Sequence, residues 1–197
     1  MSLMQKQILS RFKYFNFFWI LTFIFWLSNL YPFDRNKLLE LDPKLITTLV
    51  VAALAYFVFT VCQSVFIGMW THGIFNYLNS TNRTKIDPTF AVWSIFIPFF
   101  NLIRVPMNLI KATTALKIKS TYPKILFGIG TINLLWIFPF VYFYVISINN
   151  PTHWFSISKP YLEAFWIVLE GLSITSLWLS VKSITQKIET EANSDLE

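Results

Sequence analysis

The chain has 197 residues, of which 55% are hydrophobic, 19% aromatic and only 13% charged, with a net charge of +6. Soluble domains carry roughly 25% charged residues, so this composition, with a mean hydropathy of +0.53, excludes an ordinary soluble domain, a disordered chain and a low-complexity fibre. A single cysteine, Cys62, excludes an intrachain disulfide scaffold.

Crossing ~30 Å of hydrocarbon takes about 20 mostly apolar residues. Four runs qualify: 14–31, 45–70, 125–148 and 161–181. None contains Lys or Arg, and Glu163 and Glu170 are their only acids. The first run follows Lys6, Arg11 and Lys13 but is too long for a signal-peptide core and lacks a small-residue cleavage site, which predicts an uncleaved signal anchor. A fifth apolar run, 89–103, contains Pro98. As a helix it would reach only ~22 Å, short of a span, which predicts a re-entrant or interfacial segment.

Lys and Arg in short loops mark the cytoplasmic side. With four spans and both termini cytoplasmic, twelve of the sixteen basic residues lie inside and four outside. If the fifth run also crossed, six would lie inside and ten outside. The charge pattern therefore predicts an all-α integral membrane protein: one four-span domain over 1–182, a central cytoplasmic-side helical segment over 89–117, and a flexible acidic cytoplasmic tail over 183–197. The basic charge is accounted for by topology, and no nucleic-acid partner is expected, because the aromatics sit inside the apolar runs rather than on a basic face.

The second helix is expected to run past its span, with Trp70, Ile74, Phe75 and Leu78 on one side and His72, Asn76 and Asn79 on the other, until Asp87 and Pro88 break it. After Pro98, a wide apolar face (Ile103, Met107 and Ile110 with Val105, Leu109, Ala112 and Leu116) is set against a polar stripe of Arg104, Asn108 and Lys111. That pattern predicts a helix lying in the membrane interface, its cations toward lipid phosphates, with Pro106 in its first turn. No acid stands between Arg104 and Lys124, where five basic residues suit an anionic leaflet.

Trp93, Pro98, Asn101 and Pro106 follow a W-x4-P-x2-N-x4-P spacing. With the preceding aromatic-polar stretch from Trp70, this resembles the signature of a bacterial membrane family, domain-of-unknown-function family 4328, over residues 70–119. Thr89, Phe90 and Ala91 replace the small or glycine-rich residues usual before the tryptophan. The resemblance implies a four-span protein of the bacterial inner membrane and implies no activity.

Glu170 is ten residues into the fourth run, ~14 Å down a ~30 Å core. Intramembrane acids are costly and mark candidate sites. Asn133, ~12 Å into the third run from the other end, is at a depth where a carboxyl–amide hydrogen bond to Glu170 is feasible. Two roles stay open for the pair: a proton or cation relay, or a structural lock between two helices. A second candidate group, for a lipid headgroup or other anion, is Trp93, Pro98, Asn101, Arg104, Pro106 and Lys111. There Asn101 and Arg104 could also satisfy carbonyls freed by Pro98. Gly128, Gly130 and Gly171 are read as points of close helix approach. His72, His153 and Cys62 fall at different depths, so no metal site or cofactor is expected. No catalytic motif is present. Two functions remain: a non-enzymatic membrane component that binds anionic lipid or a membrane partner, or a small oligomeric transporter or channel using Glu170.

Overall fold

Ser2 and Gln5 open the first helix as a reciprocal cap: the Ser2 backbone N–H donates to Gln5 Oε1 (2.7 Å), and the Gln5 N–H donates to Ser2 Oγ (3.2 Å). The computed structural model describes residues 2–28, 43–97, 100–149 and 154–194. Among these the protein is all α, with six helices: α1 (Leu3–Ser28), α2 (Pro43–Ser80), α3 (Pro88–Phe96), α4 (Asn101–Ala115), α5 (Tyr122–Asn149) and α6 (Trp154–Ser194). Within α2 and α6, the stretches Val50–Ser80 and Ala164–Ser194 are long and apolar enough to cross a membrane. Helix α1 lies along α2 and α6, and α5 lies along α6. The short pair α3–α4 is wedged between α2 and α5.

Helices α2 and α6 have 38 and 41 residues, so each is about 60 Å long, twice the hydrocarbon thickness. Their surfaces change character along their length. Over the apolar runs, large side chains face outward: Phe17 and Ile24 on α1, Leu54 and Phe57 on α2, Leu135 on α5 and Val168 on α6 are all more than half exposed. Past Trp70 on α2 and past Val181 on α6 the pattern inverts. Trp70, Ile74, Phe75 and Leu78 meet Val181, Ile184 and Ile188, with Ile8 and Phe15 of α1, in one buried core. Apolar groups sheltered in one half and displayed in the other are what two different solvents would select.

That core corrects the expectation of a frayed acidic tail: α6 continues as helix to Ser194, with Ile184, Ile188 and Ala192 fully buried. Trp70 Nε1 donates to Thr185 Oγ1 (3.0 Å) inside it. At its far end Glu191 accepts from Tyr77 Oη (2.9 Å) and from Arg83 Nη1 (2.8 Å), which ties the end of α6 to the end of α2. Nearer the apolar half, Trp19 stacks on Trp178 with centroids 4.9 Å apart. Each indole also donates across the α1–α6 seam, Trp19 to the Ile174 carbonyl and Trp178 to Asn16 Oδ1.

The chain reverses cleanly after α2 and after α4. Asn82 and Lys117 each take φ of 55°, the left-handed residue that ends a helix. The following N–H groups, of Arg83 and Ile118, reach back to Leu78 O and Thr113 O, both at 2.8 Å. Asp87 then caps α3 by accepting from the Thr89 N–H, with Pro88 in the first turn. Helix α3 runs back down α2: Asn79 donates to Ile86 O at one end, and Phe96 packs beside Gly68 at the other.

Candidate functional site

The tip of the α3–α4 hairpin and the four long helices enclose a cavity of about 300 Å³ to which all six helices contribute. Its polar lining is Thr22, Tyr56, Thr60, Gln63, Ser64, Asn101, Asn133, Glu170 and Ser173. Among the described residues lining it there is one acid, Glu170, and no basic side chain. Glu170 lines the cavity and is also exposed at the protein surface.

The lining mixes donors and acceptors, and three of its hydroxyls have already committed their protons. Thr22, Thr60 and Ser64 each donate their hydroxyl to a carbonyl one turn back, those of Phe18, Tyr56 and Thr60, all at 2.9 Å. Their protons are spent on the helix, and their oxygens keep free lone pairs. Asn101 spends an amide N–H on the Ile95 carbonyl near the end of α3 (3.4 Å). Its Oδ1 is buried with no partner, and so is Asn133 Oδ1.

Glu170 and Asn133 thus line one cavity, as their depths suggested, but no hydrogen bond joins them, and Asn133 Oδ1 is unpartnered. The direct carboxyl–amide lock expected from depth matching is replaced by shared solvent-sized space.

Pro106 is the sixth residue of α4, not in its first turn, and it is buried. It has no N–H to offer the Leu102 carbonyl, its partner one turn earlier. That carbonyl is directed at Gly130 of α5, where any Cβ would collide with it. Gly130 is the close-approach glycine the sequence suggested. Gly128 is not, because nothing lies within 4 Å of a Cβ built there.

The second candidate group does not hold together. Asn101 and Pro106 line the cavity. Arg104 instead sits over the rings of Phe100 and Phe90, at 5.0 and 5.7 Å. Trp93 is 61% exposed, in a separate groove with Arg11 and His72. Lys111 is exposed, and Pro98 lies outside the described residues. Helix α4 departs from the interfacial picture as well: Leu109, Ala112 and Leu116 face the protein core. Asn108 donates to the buried Ser94 of α3 (3.2 Å), which locks the hairpin.

Sequence reasoning overlooked Thr22, Thr60 and Ser64, because hydroxyls in apolar helices are common and their spacing alone does not reveal a shared face. Arg11 was read only for topology, and His72 only for its place on the polar side of the second helix and as a discounted metal ligand.

Comparison with protein-family models, curated proteins and solved structures finds no match for this chain.

Proposed function

We propose that this is a non-enzymatic integral membrane protein that binds a small cationic solute within its bundle, as a transport or channel element. It has four spans, near 14–31, 45–70, 125–148 and 161–181, with both termini cytoplasmic. The α3–α4 hairpin enters from the cytoplasmic side. What carries the reading is the cavity: a carboxylate, two buried amide oxygens without partners and three hydroxyls with committed protons face one space of about 300 Å³. Unpartnered buried acceptors are costly, and a cation or ammonium group is the ligand that relieves them. The volume leaves room for several waters as well.

The membrane reading is supported by the outward-facing apolar belt on α1, α2, α5 and α6 and by its inversion past Trp70 and Val181. The hairpin tip meets Gly130, five residues into the third run and ~8 Å deep, which supports a re-entrant segment. A membrane location is supported by the apolar stretches Val50–Ser80 and Ala164–Ser194, and the orientation by the basic-residue bias.

Reconstituted protein is expected to bind or pass radiolabelled sodium or methylammonium beyond empty liposomes, and Glu170→Gln is expected to lose at least about tenfold, the effect of a lost charged contact. No difference between protein and empty liposomes rejects the reading.

A second reading, assembly with a membrane partner or a second copy, is favoured by the exposed stripe Val50, Leu54, Phe57, Val61 and Val65 on α2. Such a stripe suits a packed helix as well as lipid.

A further inference from the structure

A groove of about 420 Å³ runs down the outside of the α2–α3 pair. It is separate from the central cavity and shares none of its lining residues. Its chemistry changes along its length. At the end nearer the buried core stand Arg11 of α1, His72 of α2 and Thr89 of α3. One to two turns deeper, Val65, Gly68, Val92 and Phe96 form an apolar floor, and Trp93 flanks it. The order is set by the antiparallel course of α2 and α3, with Asn79 bonded to Ile86 at one end and Phe96 beside Gly68 at the other. The groove therefore has a cationic, hydrogen-bonding mouth over a hydrocarbon floor.

The mouth also coincides with the level at which the protein surface inverts. Met69 is the last exposed large apolar residue of α2 before its buried segment, and Tyr14 is the first of the outward-facing apolar side chains on the span of α1. The Arg11 guanidinium stands at the level of Met69, because its Nη1 donates to the Met69 carbonyl (2.7 Å). Gly73 gives it room: a Cβ there would lie 3.1 Å from Arg11 Nη1. One bond to a carbonyl leaves most of the guanidinium N–H donors uncommitted. Asn76 Nδ2 lies 3.0 Å from His72 Nδ1 and 3.5 Å from Nε2, which holds the imidazole in place at the mouth of the groove. Arginine N–H pairs match phosphate oxygens, and tryptophan suits the headgroup level of a bilayer.

We propose that this groove is a phospholipid site: the phosphate of an anionic lipid sits against Arg11 and His72, and an acyl chain lies along Val65, Val92 and Phe96. The proposal rests on the membrane placement above, but not on the central cavity. A zwitterionic lipid carries the same phosphate beside its own cation, so the basic mouth favours the anionic one.

The test is native mass spectrometry of the full chain, released from detergent after incubation with equimolar phosphatidylglycerol and phosphatidylcholine. Wild type is expected to retain phosphatidylglycerol in preference. Arg11→Gln is expected to weaken that retention about tenfold, the loss of a charged hydrogen bond. His72→Gln is expected to weaken it less, while Lys111→Gln, exposed and outside the groove lining, leaves it unchanged. Because Arg11 also braces α2, His72→Gln carries the test if Arg11→Gln fails to fold. Equal retention of the two lipids, or an equal loss with Lys111→Gln, overturns the lipid site. Inorganic phosphate that displaces the lipid at millimolar concentration shows a free-anion site instead and overturns it too. A chain that stays monodisperse without detergent or lipid rejects the membrane placement itself.

Discussion

The carbonyl oxygen of Leu102 in α4 is seated directly against the α-carbon of Gly130 in α5. Three local facts meet at that contact. Pro106 withholds the N–H that would normally occupy the carbonyl, glycine removes the side chain that would hold the helices apart, and Asn101 and Asn133 flank the junction in the cavity wall. Gly130→Ala should therefore cost about 3 kcal/mol, the upper range for overpacking, since the obstacle is backbone rather than a movable side chain. Gly128→Ala should be neutral or slightly stabilising, because nothing lies within 4 Å of its Cβ and alanine is the better helix former. Thermal unfolding of both variants in one detergent separates them. Equal melting temperatures would show that the close approach is not formed.

Asn133 tests whether the cavity is built for a ligand or only for packing. Its Oδ1 is buried and unpartnered, so Asn133→Leu removes a cost of about 1 to 3 kcal/mol and should raise the unfolding temperature. The same change should lower sodium or methylammonium binding. A variant that is less stable than wild type would mean that Asn133 is satisfied in the native protein.

The end of α6 should prove structural. Ile188 is fully buried among α1 and α2 side chains, so Ile188→Ala should cost about 3 kcal/mol. Glu189→Ala, at the next residue and exposed, should have no measurable effect. Glu191→Ala should fall between them, because its partner Arg83 is one-third exposed and solvent screens the pair. If deletion of residues 183–197 left the melting temperature unchanged, the buried core at the ends of α1, α2 and α6 would be disproved.

Topology is open to cysteine labelling once Cys62 has been replaced. Lys119 is exposed in the turn between α4 and α5, so a cysteine there reacts with an impermeant maleimide unless a membrane intervenes. On intact cells, Lys119→Cys should stay unlabelled and Ser158→Cys should be labelled. After permeabilisation both should react. Labelling of position 119 on intact cells would reverse the proposed orientation.

Several features were legible in the residues because they are local. The helical character of the four long runs, the continuation of α2 through Trp70, Ile74, Phe75 and Leu78, and the break before α4 each follow from hydropathy, periodicity or proline within one segment. Asn101 donates to a nearby carbonyl, that of Ile95, but its place in a cavity wall was not legible. The segment 183–194 was misread because its charge and sparse apolar content outweighed a real signal: Val181, Ile184, Ile188 and Ala192 recur at helical spacing.

By itself, the sequence determined that the chain is helical and which stretches are strongly apolar, because hydration and backbone sterics act residue by residue. The tertiary structure alone decided which faces meet. Four apolar side chains on α6 become a core only when α1 and α2 present theirs. Thr22, Thr60, Ser64, Asn101, Asn133 and Glu170 come from five different helices and share one cavity only after packing. Whether a hydroxyl or an amide oxygen is left without a partner depends on what the neighbouring helix supplies, and no single segment of sequence carries that information.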